Sequence, residues 1–225
     1  MVVVCAVMVT LVCSGVLVAL FVPSILHVRE SARESQCQNN LKQIGLALHS
    51  YHDRWQSFPP AYTVDAQGQR LHSWRVLILP YLGQQGLYNS IDLSQPWDSP
   101  RNAPFLAQMP LEFGCPSDVA PGGTATNYVA VVGDKCVFRG EKPVSIHEIT
   151  DGTSNTILVG ELVGANIPWM KPDDLSLTSF GGFSSKHSDS VHFLMGDGSV
   201  HFMPSKPSVS ASPPPAQFTR GEEDW

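Results

Sequence analysis

The chain starts apolar and becomes amphipathic. From Met1 to Leu26 there is no charged residue, and Val2 to Val22 is almost wholly apolar. At about 1.5 Å of helical rise per residue, such a run crosses a hydrocarbon core of roughly 30 Å. A cleaved secretory signal would open on a basic stretch and carry a shorter apolar core. Residues 1–26 therefore predict a retained transmembrane anchor helix.

After Pro23 the sequence "SILHVRESARESQCQNNLKQIGLALHSYHDRW" has no Gly before Gly45 and no Pro before Pro59. Leu41, Ile44, Leu48, Tyr51 and Trp55 recur at spacings of three and four, the mark of one apolar stripe on a helix. Lys42, Gln43, Ser50 and Arg54 fall on the opposite, polar face. Joined to the anchor, this predicts one helical rod of about fifty residues at ordinary helical geometry, its first half in lipid and its second half on a domain. Pro23 is placed to kink it.

"SFPPAY" ends the helix, because Pro59 and Pro60 lack amide donors and restrict the residues before them. From there to about Met203 the chain is rich in Gly, Pro, Asn and Asp, with short apolar runs. "HSWRVLILPYL" reads as a buried strand or a short helix; "TNYVAVVG" and "NTILVGEL" read as strands. Near the end, Val191, Phe193 and Met195 alternate with His192 and Leu194, and Val200 and Phe202 alternate with His201 and Met203. Asp197-Gly198 lies between the two runs and predicts a hairpin with a type I′ turn, whose central residues both need positive φ. A long helix followed by short strands predicts an α+β domain over residues 27–203 with a small, mostly antiparallel sheet and long loops. Residues 204–225, "PSKPSVSASPPPAQFTRGEEDW", have too few apolar side chains to offset ordering entropy and predict a disordered tail.

Charge narrows the partners. The 225 residues carry a formal net charge of −6 and no basic stripe that could follow a phosphate backbone, which argues against nucleic acid. Of the five cysteines, Cys5 and Cys13 lie in the apolar segment and Cys37, Cys115 and Cys136 outside it. With no CxxC pair, neither a zinc ribbon nor a thioredoxin motif is supported. In an oxidising compartment one disulfide and one free thiol is the simplest account, with Cys37 and Cys115 the candidate pair; buried reduced cysteines are the alternative.

Candidate chemistry is sparse. His187 and Asp197 would make a base and its orienter, but no nucleophile motif accompanies them, neither G-x-S-x-G nor H-E-x-x-H. A ligand or metal site is the second reading of the two residues; the structural reading, which needs nothing extra, has Asp197 and Gly198 forming the turn, with His187 bonded to a nearby backbone or carboxylate group. The loop Asp151-Gly152-Thr153-Ser154-Asn155-Thr156 is oxygen-rich, and Asp151 and Asn155 are candidate calcium ligands against the commoner explanation of an Asx-rich turn. His49, His52 and Asp53 share a helical turn and would need His72 or His147 to complete a metal site. Trp74, Trp97 and Trp169 either pack the core or form a carbohydrate surface, and core packing is the default.

The order of elements resembles type IV pilins and type II secretion pseudopilins. In detail, "ARESQCQNNLKQIGLALHSYHDRWQSFPPAY", "HSWRVLILPYL", "PWDSPRN", "CPSD", "TNYVAVVG", "DGTSNTILVGE" and the terminal His187-x(9)-Asp197-Gly198 resemble, in that order, the domain of unknown function 1559 family. That family consists of pilin-like proteins numerous in planctomycete bacteria. The resemblance implies a single-pass membrane protein with its C-terminal domain extracytoplasmic. It also implies other pilin-like subunits as partners through helix packing, while the lack of any nucleophile or metal signature argues against an enzyme.

One departure stands out. Members of the family open with a basic leader and a Gly-Phe-Thr-Leu-x-Glu peptidase site, whereas "CAVMVTLVCSGVLVALFVPS" has no Gly-Phe pair and no Glu. Either the helix is a plain anchor or a longer leader precedes it. The expected function is a pseudopilin-like structural or interaction protein. The alternative is a membrane-anchored extracytoplasmic module that binds a glycan or calcium.

Overall fold

A computed structural model describes residues 2–118, 123–176, 182–187 and 190–204, with side chains between Val28 and Met203. Its first element, α1, is a single helix from Val2 to Trp55 that continues through Pro23. At about 1.5 Å per residue it is roughly 80 Å long. The predicted anchor, 1–26, falls where side chains are not described, and among the described residues no helix is long and apolar enough to cross a membrane. The predicted tail lies outside the described residues from position 205 onward.

The C-terminal half of α1 docks on the domain along Cys37, Asn40, Leu41, Ile44, Ala47 and Leu48, all buried, with Tyr51 packed at the margin. Lys42, Gln43, Ser50 and Arg54 are exposed, as the stripe requires. Trp55 departs from it. It is 61 % exposed at the last helical position, where the domain no longer covers the helix, and its indole N–H reaches the Tyr81 hydroxyl at 3.2 Å. Gln56 closes the helix at φ 60°, its N–H on the His52 carbonyl at 2.7 Å, and Pro59-Pro60 carry the chain away.

A short hairpin follows, β1 (Tyr62–Val64) against β2 (Arg70–Ser73). "HSWRVLILPYL" resolves as mostly helical: Ser73 caps α2 (Trp74–Leu77), and a 3-10 turn over Leu79–Leu82 comes next. After α3 (Gln85–Ser90) and two further 3-10 turns, β3 (Ala125–Thr126) leads into β4 (Tyr128–Val132). The remaining strands are β5 (Ile157–Glu161), β6 (Ile167–Pro168), β7 (Leu175–Ser176), β8 (Ser190–Met195) and β9 (Val200–Pro204).

The main sheet has the order β7-β4-β5-β8-β9, antiparallel throughout except for β7 beside β4. The protein is thus α+β with an N-terminal helix and small, mostly antiparallel sheets. The period-two pattern of β8 divides its side chains between two cores. Leu194 joins the large cluster under α1, while Val191, Phe193 and Met195 join a smaller one with Val131, Cys136 and Ile157. His192 is buried as well, so β8 is covered on both sides although its sequence reads as half-polar.

The β8–β9 hairpin forms, but its turn is not type I′. Gly198 is at φ 83° and Asp197 keeps a negative φ. The Gly198 N–H donates to the Met195 carbonyl at 3.0 Å and the Met195 N–H to the Ser199 carbonyl at 2.9 Å, which defines a three-residue loop. Gly196 supplies the extra residue, so only the last loop position needs left-handed backbone.

Candidate functional site

Where α1 first meets the domain, four elements bring together sulfur, nitrogen and oxygen donors. Cys37 is the first fully buried residue of α1 among those whose side chains are described. Cys115 follows the 3-10 turn Leu111–Phe113, in a Cys-Pro-Ser-Asp turn closed by the Asp118 N–H on the Cys115 carbonyl at 3.0 Å. Glu161 ends β5 opposite Tyr128, and His187 lies in the segment before β8. A donor atom from each of the four lies within 4.8 Å of every other, and all four residues are buried.

The local contacts are specific. Cys37 and Cys115 are free cysteines whose Sγ atoms stand 2.6 Å apart. His187 Nε2 is 3.1 Å from Cys37 Sγ and 3.3 Å from Cys115 Sγ. Its Nδ1 is 2.8 Å from Glu30 Oε1, which also accepts the Ser117 hydroxyl at 2.9 Å. The carboxylate partner favours a proton on Nδ1, and in the neutral ring the Nε2 lone pair then faces the sulfurs. On the other side, Glu161 Oε2 accepts both the His192 backbone N–H and its ring Nδ1–H at 3.1 Å. Glu161 Oε1 is buried without a hydrogen-bond partner.

The backbone around the site is held as firmly. Cys115 N–H donates to Asn127 Oδ1 at 2.8 Å, and the Asn127 amide reaches Asp118 at 2.7 Å. Asn40, one turn along α1 from Cys37, donates to the Gly114 carbonyl at 3.0 Å. Helix, loop and sheet are tied to one another at this point.

Proton affinities reflect the crowding. Burial opposes a charged His187, but the Glu30 hydrogen bond and the neighbouring Cys115 outweigh it and raise its pKa above the usual histidine value. Burial likewise opposes the Glu30 carboxylate, and hydrogen bonds from Ser117 and His187 lower its pKa overall. The Cys115 thiol is pushed down to about 7, chiefly because Cys37 donates to it, and the same contact pushes Cys37 up.

The other residues singled out in the sequence are dispersed. Asp197 is not beside His187. The six residues of β8 separate them, roughly 20 Å of extended chain, and Asp197 Oδ1 accepts the Ser199 N–H and hydroxyl at 2.9 and 2.6 Å. Asp151 and Asn155 sit in a turn where the Asn155 amide donates to the Asp151 carbonyl at 3.1 Å. That turn packs under the β8–β9 loop, whose Gly196 N–H reaches the Thr156 carbonyl at 2.7 Å. His52 Nε2 accepts the Ile146 N–H at 3.1 Å, and His72 Nε2 faces the Asp92 carbonyl at 3.3 Å. Trp74 and Trp169 are fully buried and flank Phe113, and Trp97 is partly buried against the same core.

No sequence motif marks Glu161 or Glu30 as part of the site. The signal for Glu161 was a carboxylate closing the apolar run "ILVG", where an acidic side chain is out of place unless it has a partner. For Glu30 there was none, since it reads as an ordinary helix-surface charge.

Residues 27–136 match the model of a family described as "Protein of unknown function (DUF1559)". No curated protein and no solved structure matches the chain. That match, over somewhat less than half of the chain, supports the resemblance to the DUF1559 family.

Proposed function

We propose that this protein is a membrane-anchored, pilin-like structural subunit whose apolar N-terminal segment sits in the bilayer and packs against similar helices. In this reading its C-terminal domain lies outside the cytoplasm, in an assembly of the type II secretion or type IV pilus kind. The reading assigns no catalytic step to the chain. The observation that carries it is the form of α1. One 54-residue helix runs from the uncharged sequence before Leu26 into the domain. Among its described side chains, from Val28 on, Cys37 is the first fully buried, and Val28, Arg29 and residues 31–33 are exposed. A helix of that length and patterning suits a rod held at one end by a domain and at the other by lipid or neighbouring helices.

The test is made on the full chain in its own membranes. Retention through alkaline carbonate washing is expected, together with photo-crosslinks from positions 8–20 of the apolar segment to other pilin-like chains. Recovery as a lone soluble monomer with no such crosslinks would overturn the proposal.

A further inference from the structure

We propose that Cys37, Cys115, His187 and Glu161 form a closed structural site for one zinc ion, which clamps α1 to the sheet where the helix enters the domain. Two thiols, an imidazole and a carboxylate form a four-donor set that suits this borderline-soft cation. All four residues are buried, which leaves no open position for a substrate and makes the site structural rather than catalytic.

Three observations favour a cation over a bare cysteine pair. The first is the unpartnered Oε1 of Glu161, a residue only 1 % exposed. A buried carboxylate oxygen without a donor is costly, and a bond between the two sulfurs would not relieve it, whereas a cation would. The second is His187. Its Nε2 is aimed at both sulfurs, and its Nδ1 is held by Glu30, the carboxylate–histidine arrangement that orients metal-bound imidazoles. The third is the support of Glu161, whose other oxygen is fixed by His192.

Charge agrees with this. Two thiolates and one carboxylate around a dication leave a single net negative charge beside the imidazole of His192. Zinc bonds of about 2.3 Å to sulfur and 2.0–2.2 Å to nitrogen and oxygen put tetrahedral donors roughly 3.3–3.8 Å apart. The nitrogen-to-sulfur distances are already near that range, and the sulfurs would separate by about 1 Å from their 2.6 Å contact as the ion enters.

The experiment measures metal in the full-length protein, extracted from membranes in mild detergent without chelator, by elemental analysis alongside peptide mapping of its thiols. About one zinc per chain is expected, with Cys37 and Cys115 shielded from alkylation until the metal is removed. Replacement by cobalt should produce the intense visible bands of a tetrahedral, thiolate-bound ion. Glu30→Gln, at a half-exposed residue outside the donor set, should weaken zinc binding roughly 10–100-fold while the fold is kept. Cys37→Ser with Cys115→Ser should abolish the cobalt spectrum.

A Cys37–Cys115 disulfide in metal-free protein would overturn the proposal. So would reduced protein that takes up neither zinc nor cobalt, or a double-serine variant that retains the wild-type metal content.

Discussion

Gly45 of α1 lies directly over Leu194 of β8: a Cβ at position 45 would stand 2.8 Å from Leu194 Cδ1. Leu194 is fully buried, so it has little room to withdraw. The glycine forgoes about 1 kcal/mol of helix propensity to let helix and sheet approach this closely. Gly45→Val should destabilise the domain by about 1–3 kcal/mol through overpacking. Leu46→Ala, at the neighbouring exposed position, should change it by no more than about 0.5 kcal/mol. Urea unfolding of the two variants against the parent checks the contrast.

Among the described residues Arg75 and Asp174 form the most buried Arg–carboxylate pair, Nη2 to Oδ1 at 2.6 Å with side-chain exposures of 0 % and 3 %. Asp174 Oδ1 also accepts the Ala130 N–H at 2.8 Å and the Trp74 indole at 3.2 Å, while Arg75 donates to the Tyr128 carbonyl. Burial acts against both charges, lowering the Arg75 pKa and raising that of Asp174, and the pair offsets this in part. Asp174→Ala leaves the guanidinium buried and unpaired, and a loss of about 3–5 kcal/mol is expected. Asp174→Asn, which keeps an acceptor, should lose less. Equal losses in the two variants, measured by denaturation, would show that the charge is not what the core requires.

His72 is fully buried, with Nε2 on the Asp92 carbonyl and Nδ1 without a partner. Burial lowers its pKa below 6.5, with the Asp92 and Gln95 carbonyls opposing. A group with a depressed folded pKa binds its proton first in the unfolded chain. Its contribution is therefore complete above about pH 6.5 and is lost as the pH falls toward the folded pKa. The thermal midpoint should drop on going from pH 7 to pH 5.5, and His72→Gln should flatten that slope. An unchanged slope in the variant would place the titration elsewhere.

Asn127 is 3 % exposed, accepts the Cys115 N–H and donates to Asp118. Asn127→Ala strands a buried amide donor and should cost about 1–3 kcal/mol. Chemical denaturation reads that loss, and a change under about 0.5 kcal/mol would mean that the loop finds another acceptor.

Much of the scaffold was legible from periodicity. Leu41, Ile44 and Leu48 lie on the buried face of α1 because a 3.6-residue period leaves them one direction to point. "TNYVAVVG", "NTILVGEL" and the final hairpin became strands for the same kind of reason. "HSWRVLILPYL" stayed ambiguous because a continuous apolar run has no period, and Ser73 as a cap decided it for helix. Asp197-Gly198 marks the place of the turn, but its type depends on Gly196, which lengthens the loop by one residue.

The candidate site was illegible for a different reason. Cys37 and Cys115 are 78 positions apart, Cys115 and His187 another 72, and no short-range spacing links them. Local order along the chain determined which segments are helix and strand, which face of α1 is apolar, and that residues 1–26 are uncharged, since these depend on neighbours a few residues apart. Only the tertiary structure decided that a sulfur from α1, one from a loop, a carboxylate from β5 and an imidazole before β8 share a single buried point. That outcome depends on how the helix crosses the sheet. The crossing is set by contacts such as Gly45 on Leu194, which no local pattern encodes.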